Sequence, residues 1–167
     1  MNLFLLRHGL AVERDEFDFV RDELLPLTAK GKNQMRQVSA AMRVMELKFD
    51  LIFCSPLVRA RQTAEIVAAD LKLKQRLSLA NELKPGGKAN KLIQTIVRLK
   101  PVPENVLMVG HEPDLSALIS RLVTGQAGAG FVLKKGGLAK LEIENLNFEK
   151  CARLAWLITP AQIKLVR

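Results

Sequence analysis

The run Leu3-Phe4-Leu5-Leu6 is apolar on every successive residue and stops abruptly on Arg7, His8 and Gly9. A strand with one solvated face would alternate, so an uninterrupted run predicts a strand buried on both faces of an α/β sheet. Such sheets deliver functional groups at the carboxyl ends of their strands, in the crevice where ligands bind. Arg7 and His8 are therefore candidate functional residues. Gly9 would let a ligand or another backbone come close.

Two further runs repeat the pattern. Leu51-Ile52-Phe53-Cys54 leads into Ser55-Pro56-Leu57-Val58-Arg59, and Asn105-Val106-Leu107-Met108-Val109 leads into Gly110-His111-Glu112-Pro113. Helices are expected between the strands. Thr28 is a plausible N-cap for a helix reaching about Leu47, with Met35, Val38, Met42 and Met45 on one face. Pro56 suits a first helical turn, which makes Ser55 either a cap or a substrate contact. That helix should run to about Leu71, bury Ala60, Thr63, Ala64 and Val67, and carry Arg59 in its first turns. Leu77–Leu79 reads as a short strand, and a helix is predicted from Ala89 to about Leu99. Pro113 opens another helix, with Leu115, Leu118, Ile119 and Leu122 facing a core and Gly125 ending it. Phe131–Leu133, Ala139–Ile143 and Leu154–Ile158 read as strands, with Gly136-Gly137 and the stretch 145–150 as turns. Residues 13–18 read as a loop over the mouth of the first strand, and Thr159-Pro160 ends the last strand before a short tail. The expectation is one α/β domain spanning 1–167.

Composition excludes several classes. With 167 residues, 49% hydrophobic and 26% charged, the chain matches a folded globular domain and not a disordered one. No apolar run approaches the roughly 20 residues that cross a bilayer, and the start lacks the pattern of a signal peptide. Cys54 and Cys151 form neither a disulfide framework nor a metal-spaced pair, which favours the reducing cytoplasm. The net charge of +9 attracts anions. Aromatics at 5%, with no Tyr and one Trp, are too few for the stacking platforms of single-strand nucleic-acid binders.

The chain has only two histidines, His8 and His111, and both follow a predicted strand and touch a glycine in sequence. Two imidazoles with two arginines suit a phosphoryl group. Guanidinium forks bind phosphate oxygens bidentately, and a neutral imidazole can attack phosphorus, splitting one displacement into two. Fixed cations then stabilise the charge spread over the equatorial oxygens. Two histidines without clustered Asp or Cys make a thin metal site, so no metal and no cofactor are expected.

Arg7-His8-Gly9 after the first strand, Ser55-Pro56 with Arg59-Ala60 and Gln62-Thr63-Ala64, and Gly110-His111 after a late strand resemble the histidine phosphatase superfamily. Pro26-Leu27-Thr28 with Gly31, Glu82-Leu83 with Pro85-Gly86, and Gly110-His111-Glu112-Pro113 are similar to its small phosphohistidine phosphatase branch, the SixA type. The resemblance implies the phosphoglycerate mutase-like fold, a three-layer α/β/α sandwich with a mostly parallel central sheet. It implies that His8 is the nucleophile that becomes phosphorylated and that Arg7 and Arg59 bind phosphate. His111 would stabilise the transferring group; Gly9 and Ser55, from their own positions after the strands, are further candidate phosphate contacts. The general acid varies in place within the family; Glu82 is the candidate here, with Asp18 and Glu13 as lesser ones. The implied activity is removal of phosphate from phosphohistidine in proteins. Composition and cysteine usage add the expectations of a cytoplasmic protein with no nucleic-acid or membrane partner, and nothing in the sequence demands more than a monomer. Alternatives are a phosphatase of small phosphomonoesters and a non-catalytic phosphate-binding module.

Overall fold

Strands and helices alternate as the apolar runs require, and the computed structural model describes residues 1–13, 21–144 and 150–166. The strands are β1 (Asn2–Arg7), β2 (Leu51–Cys54), β3 (Leu77–Leu79), β4 (Asn105–Gly110), β5 (Leu138–Ile143) and β6 (Ala152–Ile158). The helices are α1 (Ala29–Val44), α2 (Val58–Asp70), α3 (Ala89–Val97), α4 (Asp114–Thr124) and the short α5 (Pro160–Ile163). One sheet takes all six strands in the order β3-β2-β4-β1-β5-β6. The first four are mutually parallel, and β5 and β6 add antiparallel at one side.

The double-faced apolar character of β1 explains its place inside this sheet. Phe4 and Leu6 pack into a core with Met35, Val38 and Met42 of α1, Ala60, Ala64 and Val67 of α2, and Ile163 of α5. Leu3 and Leu5, pointing the other way, join Ile93 and Ile96 of α3 and Leu115, Ile119 and Leu122 of α4. The result is a three-layer α/β/α sandwich. Each fully buried Leu or Ile side chain contributes roughly 1.5–3 kcal/mol relative to exposure.

Local signals set the helix ends. Thr28 Oγ1 accepts the Gly31 N–H at 2.9 Å and caps α1. Gly125, at φ 81°, closes α4 in the left-handed region that glycine tolerates. Four expectations need correction. Phe131–Leu133 forms no strand: Val132 is exposed, Leu133 is buried, and the Leu133 carbonyl turns to Arg7 instead of a ladder. The tail after Thr159 is not plain coil, because Thr159 and Gln162 form a capping box that starts α5. The helices expected to reach about Leu47 and Leu99 stop earlier, at Val44 and Val97. The loop expected at 13–18 and the turn at 145–150 fall largely outside the described residues.

Candidate active site

Four parallel strands place their carboxyl ends together. β4 lies between β1 and β2, in a register that aligns Val109 with both Leu6 and Cys54. The residues that follow are consequently level: His8 N–H donates to Gly110 O at 3.1 Å, and Ser55 N–H to Val109 O at 3.0 Å. Arg7 and His8 from β1, Ser55 and Arg59 from the β2–α2 segment, and His111 from β4 thus meet at one end of the sheet.

The two imidazole rings stand 5.0 Å apart, centroid to centroid, at 54°. His8 is 6% exposed, and its Nδ1 lies 2.8 Å from Gly9 O. A carbonyl can only accept, so Nδ1 carries the hydrogen and Nε2 keeps its lone pair. Burial foremost, with Arg59, Arg7 and Lys135 nearby, pushes His8 down to about 4, against an opposing hydrogen bond to Gly9. Burial and then His8 and Arg59 push His111 down to about 3, with Asp22 opposing. Both rings are neutral at physiological pH, the form in which imidazole is a nucleophile.

Because the chain has only these two histidines, their ring protons are expected to titrate well below pH 5, not near 6.5, in a pH-dependent NMR series. The sign for stability follows. Both native values are depressed, so the unfolded chain binds more protons below about 6.5. The stability contributed by the neutral rings is complete above that pH and is lost as pH falls through about 4. A titration centred near 6.5 in the folded protein would contradict this.

Arg7 Nη1 donates to Leu133 O at 3.0 Å, while among the described residues its buried Nε has no hydrogen-bond partner, nor has His111 Nδ1. Burial lowers the Arg7 pKa, opposed by the charge of Glu112. His111 Nε2 pairs with Ser55 Oγ at 2.9 Å, and the same oxygen accepts the Leu57 N–H at 3.3 Å. Ser55 is not the α2 cap: the helix starts at Val58 with Leu57 in the cap position. Its hydroxyl, lying two residues too early, holds His111 instead.

Arg59 is tied down on two sides. Nη1 donates to Asp22 O at 2.7 Å and Nη2 to the Asp22 carboxylate at 2.9 Å. Behind it, Thr63 Oγ1 donates to Arg59 O at 2.8 Å and accepts the Gly9 N–H at 3.1 Å. That hydroxyl joins α2 to the segment after His8. Gly9 serves a close approach of protein: a Cβ there would meet Met35 Cγ at 3.0 Å and Gly31 O at 3.3 Å. On the other side, Gly136 N–H, at φ 78°, donates to both Arg7 O and His8 O.

The structure does not bring Glu82 into these contacts. It lies half-buried in the turn Asn81–Leu83 after β3, at the same end of the sheet, without a hydrogen bond or ion pair among the described residues. Glu13 is exposed, and Asp18 lies outside the described residues. Two acidic groups that do act on the site, Asp22 and Glu112, were not candidates from sequence, and neither were Thr63 and Lys135. Thr63 had a signal, a polar residue expected on a buried helical face; Asp22 had none. Cys54 is buried at the end of β2, where burial and then Glu65 push its thiol up to about 12, so it is not a reactive thiolate. No group of three His, Cys, Asp or Glu among the described residues could hold a metal ion.

A three-layer α/β/α sandwich with two neutral imidazoles and two guanidinium groups at its strand ends defines a phosphatase class. The match to the family model of the histidine phosphatase superfamily (branch 1), over residues 3–84, gives that class its name. Over 142 residues the chain is 36% identical to an uncharacterized protein of Picosynechococcus sp., with 84% of each chain covered. It is 25% identical to the phosphohistidine phosphatase SixA of Escherichia coli over 169 residues, covering all of this chain and 99% of SixA. A solved structure of the protein histidine phosphatase SixA complexed with tungstate shares the fold at a TM-score of 0.80 and 24% identity, covering 98% and 100% of the two chains. The chain belongs to the histidine phosphatase superfamily and is a phosphatase of that family. Among its relatives it is similar along its whole length to SixA.

Proposed function

We propose that the protein removes phosphate from phosphohistidine in other proteins through a covalent intermediate on His8. His8 Nε2 attacks phosphorus, a new N–P bond forms, and the N–P bond to the substrate imidazole breaks. The departing imidazole takes a proton. Water then attacks phospho-His8, releasing inorganic phosphate and restoring the neutral ring. Arg7, Arg59 and His111 hold the equatorial oxygens and stabilise their charge. Glu82 is the proposed proton donor. An imidazole leaving group needs less help than an alkoxide, since it accepts a proton near pH 6.5.

The observation that carries this reading is the His8–Gly9 hydrogen bond, which leaves Nε2 unprotonated on a ring that feels the charges of Arg59 and Arg7 and lies 5.0 Å from a second neutral imidazole. The full-length similarity to a phosphohistidine phosphatase supports the choice of substrate. The test is hydrolysis, without added metal, of a phosphohistidine-bearing protein domain and of a simple aryl phosphate. A kcat/KM at least about a hundredfold higher on the protein is expected, a gap of about 2.7 kcal/mol or more in transition-state binding. Equal or faster turnover of the ester would favour a small-molecule phosphatase instead.

A further inference from the structure

The contact between Arg59 and Asp22 is not explained by the mechanism above. Arg59 is proposed to hold the phosphoryl group, yet two of its five N–H donors are spent on Asp22. The partners differ in exposure: the Arg59 side chain is 10% exposed and that of Asp22 51%. The buried cation is fixed, while the acid sits at the mouth, on the three-residue turn Asp22–Leu24. Asp22 also acts electrostatically on His111, so its charge reaches the far side of the site.

We propose that Asp22 is a resident competitor for the phosphate position, its carboxylate holding Arg59 until a phosphoryl group displaces it. This rests on the reading of Arg59 as a phosphate-binding residue. A phosphoryl oxygen brought to Arg59 meets a like charge on Asp22 in a partly desolvated setting, where such juxtaposition is costly. Every phosphate anion bears that cost, free inorganic phosphate included. A substrate attached to a protein surface offsets it through contacts elsewhere, whereas the small product cannot. Asp22 therefore discriminates against free phosphate and returns to Arg59 as the product leaves. Specificity of this kind comes from a repulsive element as much as from an attractive one.

The experiment measures inhibition of aryl phosphate hydrolysis by inorganic phosphate and by tungstate in wild type, Asp22→Asn and Asp22→Ala, and direct binding of the same two anions by titration calorimetry in these proteins and in Arg59→Ala, with folding checked by circular dichroism. The Asn variant keeps an oxygen that can accept from Arg59 Nη2 but removes the charge. Both Asp22 variants are expected to lower the inhibition constant about tenfold, a coupling within the usual range between interacting ligands, and to lower KM for the ester alongside. Unchanged or weaker inhibition in both, with Arg59→Ala still weakening anion binding, would overturn the proposal and leave Asp22 as an orienting partner of Arg59. A loss of kcat in both, without tighter inhibition, would overturn it too and make Asp22 a proton donor. If Arg59→Ala leaves anion binding intact, the assignment of Arg59 itself fails, and the competitor role falls with it.

Discussion

Replacing His8 with alanine is expected to lower kcat at least about a thousandfold on every phosphorylated substrate, since a covalent route without its nucleophile has no second way through. Two neighbours are poor substitutes: Cys54 is buried with its thiol pushed up to about 12, and His111 is engaged through Nε2 with Ser55. The variant should remain folded. The Nδ1 bond of His8 is to the adjacent residue, and truncating the side chain strands only the Gly9 carbonyl, a loss of about 1–3 kcal/mol. The direct measurement is capture of acid-labile phosphate on the enzyme from a labelled substrate, present in wild type and absent in His8→Ala. A variant that keeps a tenth of the activity and still becomes labelled would place the nucleophile elsewhere.

Gly31→Ala is expected to damage both stability and catalysis, although the residue touches no substrate. A Cβ at position 31 would lie 1.9 Å from Leu10 O and 2.9 Å from Leu10 C, backbone atoms that cannot rotate away. The same carbonyl accepts the Thr28 N–H at 3.0 Å, and Leu10 N–H donates to Gln34 at 3.2 Å. Making room for a methyl group therefore pushes the segment running from His8 to Leu10 off α1. Overpacking of this kind costs about 2–4 kcal/mol, which lowers Tm by about 5–12 °C in a chain of this size. A fall in kcat should accompany it, because His8 moves with that segment. Gly86→Ala is the control. Its φ of +71° strains any side chain, but nothing lies within 4 Å, so only about 1 kcal/mol and no loss of kcat are expected. Thermal unfolding and kinetics of the two variants, side by side, decide the matter.

How far the sequence announces this arrangement depends on whether the determinant is local. β1 is legible because both of its faces are apolar, and the end of that run on Arg7-His8 marks the site. The same logic places His111 after β4 and Arg59 at the start of α2. Local composition has no access to a partner far along the chain. Phe131–Leu133 has the residues of a strand, but its carbonyl is taken by Arg7, 126 positions away. Ser55 looks like a helix cap until His111, 56 positions on, claims its hydroxyl. Asp22 sits in a turn without periodicity, and its link to Arg59 crosses 37 positions with no trace in either neighbourhood.

The placement of β1 in the sheet has a consequence for how the chain matures during synthesis. The strand that carries His8 is made early, yet its two neighbours come much later: Asn2 bonds Asn105, 103 residues on, and Met1 N bonds Ile143, 142 residues on. Loop closure over such lengths is a slow, entropically opposed step. At about 5–20 residues per second of translation, roughly 5–20 s separate the making of β1 from that of β4, and roughly 7–28 s from that of β5. A nascent chain shorter than residue 105 has no β4, so it can assemble neither the pair of histidines nor a covered β1. The pair of histidines therefore assembles only after β4 has been made, when the later part of the chain closes over β1.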